Sequence, residues 1–217
     1  MAPSRRKPLR RERSGVPRKN SGNRSVFLNI PYDEQFSNLC LAYICGVACF
    51  GLVPRATLEI PGSRRLDRII ALIQSCPFSL HDLSRVQLDR VKPRTPRFNI
   101  PFELGLAIAK DRLSVDGHSW YVFEAMNRRP EKSLSDLAGT DVYIHGGTVR
   151  GVLRELSNAF IREERQPSLA QMYGVYRYVR KELPSILRAS GSESIFDGAR
   201  TFRDVCFVAS LKAEERV

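Results

Sequence analysis

A glutamate stands at position 103 in the run Arg97-Phe-Asn-Ile-Pro-Phe-Glu-Leu-Gly-Leu-Ala. Pro101 predicts a helix start, which puts Glu103 in the first helical turn. The partial positive charge of a helix N-terminus favours an ionised carboxylate there. Held in place, such a carboxylate can stabilise or capture positive charge developing on a substrate carbon. The competing role is a capping glutamate that satisfies backbone amides. Phe102 and Leu104 flank it as buried-type residues, and Gly105 leaves space for a close approach.

Two further acids fall in turns. Asp82 lies in His81-Asp-Leu-Ser-Arg and Asp33 in Pro31-Tyr-Asp-Glu. Each alone is an ordinary turn carboxylate. Gathered with Glu103 at one sheet edge they would repel one another unless a ligand or cation joins them. Arg64, Arg65, Arg85 and Arg97 can supply that positive charge and bind phosphate. A plain salt-bridge network accounts for the same residues. The chain has no P-loop, no Gly-x-Gly-x-x-Gly, no Gly-x-Ser-x-Gly and no Cys-x-x-Cys. Three dispersed histidines and an odd count of five cysteines argue against a metal site or a disulfide framework.

The elements that must hold these residues alternate. Strand patterns at 25–30, 52–58, 78–82, 120–123 and 142–144 are interleaved with helical patterns at 34–50, 64–75, 101–110 and 148–165. Pro54 places the second strand near an edge or a bulge. This alternation predicts an α/β domain with a flavodoxin-like, five-stranded parallel sheet and flanking helices. Ligands of such sheets bind beyond the carboxyl ends of the strands, at the loops Pro31–Glu34, Glu59–Arg64, Asp82–Pro101 and Glu124–Lys132. Helical patterns at 169–187 and 199–212 predict a C-terminal helical extension over 166–217, a lid or flank on the 25–165 domain.

The net charge of +12 is concentrated at the start. Residues 1–24 hold nine Lys and Arg against Glu12 alone. A segment so basic, without aromatic residues, is predicted to be a disordered tail with weak, non-specific affinity for polyanions. It has no apolar core of a secretory signal. The longest apolar run, Leu39 to Val53, is interrupted by Gly46 and Gly51 and suits a buried helix, not a membrane span. Cys40, Cys45 and Cys49 fall in that run as small hydrophobes, which predicts a reduced, cytoplasmic protein without membrane contact.

Four stretches together carry a resemblance: Pro31-Tyr-Asp-Glu, Leu66-Asp-Arg-Ile-Ile, Ser79-Leu-His-Asp-Leu-Ser-Arg and Phe98-Asn-Ile-Pro-Phe-Glu-Leu-Gly-Leu. They resemble a bacterial TIR-like family, itself similar to nucleoside 2-deoxyribosyltransferases and TIR-type NAD hydrolases, over about residues 25–165. Phe102-Glu-Leu-Gly is the most specific element. The resemblance implies that Glu103 attacks or stabilises an anomeric carbon, with Asp82 or Asp33 assisting departure of the base. It implies that Tyr32, Arg64, Arg85, Arg97, Asn99 and Phe102 contact a nucleotide or nucleoside. No cofactor is implied; NAD would be the substrate, and the biological setting a bacterial defence effector. The alternative it carries is a non-catalytic module that senses a nucleotide or a protein partner, with homo-oligomers as the assembly.

Overall fold

Strand β1 (Ser25–Asn29) alternates as a two-sided buried strand must, with Val26 and Leu28 in one core and Phe27 in another. A 3-10 turn, Glu34–Phe36, and helix α1 (Ser37–Cys49) follow. The order continues β2 (Val53–Ala56), a 3-10 turn Thr57–Glu59, α2 (Arg65–Ser75), β3 (Phe78–Asp82), α3 (Asn99–Leu113), β4 (Ser119–Glu124), α4 (Arg129–Ser133), β5 (Val142–Ile144), α5 (Val149–Ala159), α6 (Leu169–Ser190) and α7 (Ala199–Arg216). The computed structural model describes residues 23–60, 62–85, 92, 98–114, 117–161 and 166–216. The expected basic tail, apart from Asn23 and Arg24, and Arg97 lie outside the described residues.

The five strands form one all-parallel sheet in the order β2-β1-β3-β4-β5. This is the predicted flavodoxin-like arrangement, and its strand order reverses between β1 and β3. Helices α1 and α5 pack on one face, α2 and α3 on the other. Among the described residues, no helix is long and apolar enough to cross a membrane.

Pro54 does sit on an edge strand. The N–H of Val53 bonds back to Arg24, Pro54 has none, and that of Ala56 is taken by Glu59 at 3.0 Å. The outer edge of β2 is thereby stripped of donors that another strand could use.

Helices α6 and α7 pack on each other and on α1, adding Met172, Val175, Phe202 and Val205 to the core around α1. Helix α1 is therefore covered on all sides, and every residue from Cys40 to Cys49 is buried. That explains a helix without a polar stripe. Gly46 is required by this enclosure, because a Cβ there would stand 2.3 Å from Leu156 Cδ1 of α5. All five cysteines are buried thiols. Burial pushes the Cys40 and Cys45 thiols up, away from the reactive thiolate. Native protein should accordingly react with a thiol reagent at Cys40, Cys45 and Cys49 only on the timescale of unfolding. Rapid modification followed by mass spectrometry would contradict it.

Helix α3 departs from the prediction at the point that matters. It starts at Asn99, not at Pro101, with Phe98 as its N-cap. Proline is tolerated at the third helical position because its missing N–H is one the helix could not have bonded. Glu103 is consequently the fifth residue of the helix, and no acidic residue occupies the first turn.

Candidate functional site at the carboxyl edge of the sheet

Strand β1 ends in Asn29, buried at the strand-order reversal. Its amide Nδ2 donates to His81 Nδ1 at 2.8 Å and to the carbonyl of Ile100 at 2.9 Å. The second bond pins the first turn of α3 over the ends of β1 and β3, where parallel sheets of this order bind ligands. The first fixes a directional chain. With Nδ1 accepting, His81 Nε2 donates to Ser79 Oγ (2.8 Å), Ser79 Oγ donates to His118 Nε2 (2.8 Å), and His118 Nδ1 donates to the Cys76 carbonyl (2.9 Å). Burial lowers His81 to about 3 and His118 to about 4, so both rings are neutral near pH 7. An amide begins the chain and cannot pass a proton on, which makes this a strap and not a proton relay.

Asn29→Ala should cut that strap, leaving His81 Nδ1 without its donor and α3 unpinned. The expected cost is about 1–3 kcal/mol, measured as a lowered denaturant midpoint. An unchanged midpoint would show that the strap does not hold α3.

One turn beyond Ile100, Glu103 is 8% exposed. No hydrogen bond or ion pair holds it among the described residues. Burial raises its carboxyl to about 7, opposed by the positive charge of Arg65. This overturns the expectation that a first-turn position favours the anion: Glu103 lies past the first turn, and desolvation dominates. It also removes the capping role.

The other expected residues divide. Tyr32 lies within electrostatic reach of Glu103: burial first, and then the carboxylate's field, push its hydroxyl pKa up, and that hydroxyl accepts from Thr57 N at 3.2 Å and Thr57 Oγ1 at 3.0 Å. Arg65, not Arg64, is the guanidinium whose field reaches Glu103. Arg64 forms the left-handed cap of α2 (φ 50°) with an exposed side chain. Asn99 is exposed at the start of α3. Phe102, expected to be buried, is 53% exposed, as is Phe98 at 63%. Helical spacing turns Glu103, Leu104 and Ala107 inward and leaves these rings outside. Gly105 is exposed with open space around it, so no close approach explains it.

Asp33 and Arg85 are engaged with each other. Asp33 caps its 3-10 turn through Phe36 N (3.0 Å) and pairs with Arg85 at 3.6 Å, while Arg85 also donates to Gln35 at 2.7 Å. Asp82 is fully buried on the opposite face from Glu103, because strand alternation sends Leu80 and Asp82 toward α1. Its Oδ2 accepts from Tyr43 at 2.7 Å and from His145 Nε2 at 3.1 Å; its Oδ1 accepts from Ser84 N at 2.9 Å. The three predicted acids therefore do not form one cluster.

Ser84, His145 and Asp82 look like a hydrolase triad in composition but not in geometry. Ser84 Oγ and Asp82 both meet His145 Nε2, while Nδ1 accepts from Gly147 N at 3.1 Å. A relay needs the carboxylate and hydroxyl on opposite nitrogens. Tyr43, His145 and Ser84 were not singled out in the sequence, and neither was Glu124. The last accepts from Ala125 N (2.7 Å) and Met126 N (3.1 Å), meets Arg129 at 3.3 Å, and has its carboxyl raised by burial. Among the described residues, no group of three or more His, Cys, Asp or Glu converges to hold a metal ion.

Comparison with protein-family models, curated proteins and solved structures finds no match to this chain.

Proposed function

We propose that the protein cleaves, or transfers across, an N-glycosidic bond of NAD or a related nucleotide, with Glu103 meeting the charge that develops on the sugar. The observation that carries this reading is a largely buried carboxylate with no hydrogen bond or ion pair among the described residues, on a helix pinned to the strand-order reversal. Burying such a group is costly unless a ligand offsets it.

The chemistry follows from the surroundings. As the C1′–N bond breaks, its electron pair leaves with the base and the sugar becomes an oxocarbenium ion. An ionised Glu103 stabilises or captures that cation, and water or an acceptor completes the reaction. Asp33 and Asp82 are occupied by other partners, and neither is directed at a base beside Glu103. A positively charged pyridinium leaves as a neutral base without protonation, which favours a nicotinamide nucleotide over an ordinary nucleoside. The substrate's own positive charge also lowers the Glu103 pKa, so binding ionises the group that the reaction needs. The exposed rings of Phe98 and Phe102 offer faces on which a base can stack.

Purified protein incubated with NAD should release nicotinamide, followed by chromatography, and should act more slowly on nucleosides. Absence of released base from NAD and all nucleosides would leave a nucleotide-sensing or protein-interaction module as the reading.

A further inference from the structure

Two hollows lie along the outer edge of β2, both bordered by Glu59 of the turn that follows this strand. One, of about 290 Å³, opens between this edge and α2 and is lined by Arg55, Glu59, Arg68, Leu72 and Arg203. The other, of about 390 Å³, opens toward α7 and is lined by Val53, Pro54, Phe202 and Phe207. Arg55, Glu59 and Arg203 border both. Phe207 is 64% exposed and Val53 48%, so an apolar seat adjoins a charged one.

The charged seat is organised around Glu59, whose side chain is 6% exposed. Its carboxylate accepts from Arg55 Nε at 2.9 and 3.2 Å and from Arg203 Nε at 3.1 Å. Each guanidinium thus uses Nε to bond Glu59, and its terminal nitrogens have no partner among the described residues. Arg68 has no ion pair among them either. Three guanidiniums face one carboxylate, a local charge of +2 held by a buried acid that fixes two of the three.

We propose that this is a binding site for a small phosphomonoester carrying an apolar group. The phosphate sits among Arg55, Arg68 and Arg203, and the apolar group lies against Val53, Pro54 and Phe207. A charge of +2 matches a phosphate dianion better than a carboxylate, and guanidinium nitrogens bond phosphate oxygens in pairs. An added peptide strand does not fit, because the outer edge of β2 offers no N–H donors at Pro54 or Ala56.

Phenyl phosphate, titrated calorimetrically into the full-length protein, tests this assignment. Saturable binding is expected, tighter than for benzoate or inorganic phosphate. Arg68→Ala and Arg203→Ala should each weaken it about tenfold or more. Phe207→Ala should erase the advantage over inorganic phosphate. Arg68→Ala removes no described contact, so it decides the matter even if Arg203→Ala loosens α7. Glu103→Gln should leave binding unchanged. Lack of saturation, equal affinity for all three anions, or indifference to Arg68→Ala would overturn the assignment. So would loss of binding in Glu103→Gln, which would place the ligand beside Glu103.

Discussion

Glu103→Gln should lower the rate of base release by about 10²–10³-fold, the usual loss when a fixed electrostatic group is removed from a developing charge. The same substitution should raise stability at pH 8. Glu103 has a folded-state pKa of about 7 against an ordinary value of 4.5. A raised carboxyl is protonated more readily in the fold than in the unfolded chain. Its stability contribution is therefore fully present below about 4.5 and is lost as pH rises through 7. Above that window the buried anion costs the fold on the order of 3 kcal/mol, and glutamine removes the cost. The variant should thus melt higher at pH 8 and barely differ at pH 4. A purely structural glutamate predicts the reverse, a loss of stability with no consequence for turnover. Wild-type kcat/KM for NAD should rise as pH passes through about 7, because the ionised form acts. Gain of stability with unchanged base release would remove Glu103 from the chemistry.

The histidines act in the opposite direction. His81 and His118 are held neutral, with pKa values near 3 and 4 against 6.5. Their depressed values make stability fully present above about 6.5 and lost progressively below it. In wild type, protonation of Glu103 between pH 7 and 4.5 partly offsets that loss. Glu103→Gln should therefore show the steeper acid destabilisation.

The sheet was legible because each strand was a short apolar run between turn residues, and because Pro54 could only belong to an edge. Glu103 was legible as a carboxylate in a helix-opening motif. Its environment was not, because α3 starts at Asn99 and its first turn is held by Asn29, distant in sequence, bonding the Ile100 carbonyl. A two-residue change in a helix start converted a supposed anion-stabilising position into a desolvated one. The grouping of the three acids failed for a different reason. Residues 82 and 103 both belong to the carboxyl edge, but strand period decides the face, and Asp82 follows Leu80 toward α1. Tyr43 and His145 carried no signal: one tyrosine in an apolar helix and one histidine before Gly146 become polar partners only when the sheet brings them to Asp82.

Asp82→Ala should be the most destabilising of these single changes, by about 3–5 kcal/mol. The side chain is 0% exposed and its two oxygens receive three donors: Tyr43 Oη–H, Ser84 N–H and His145 Nε2–H. Alanine leaves those donors buried without the acceptor they now use. His145 can still turn to Ser84 Oγ at 3.0 Å, but Tyr43 is buried and edge-packed on Phe123, and its hydroxyl bonds no second acceptor among the described residues. Each orphaned buried donor costs about 1–3 kcal/mol. Against a whole-domain stability of about 5–15 kcal/mol, that loss should be plain in urea unfolding. Asp82→Asn separates this structural role from a catalytic one. Asparagine keeps one acceptor oxygen for Ser84 N–H but turns an amide toward His145 Nε2–H, a donor facing a donor. It should cost less than alanine, and base release per folded molecule should stay within a few-fold of wild type. If Asp82 protonated the departing base, Asp82→Asn would instead abolish turnover with little change in the unfolding midpoint. A pyridinium leaving group needs no such proton, so the pair of measurements on this variant tests both the role of the residue and the choice of substrate.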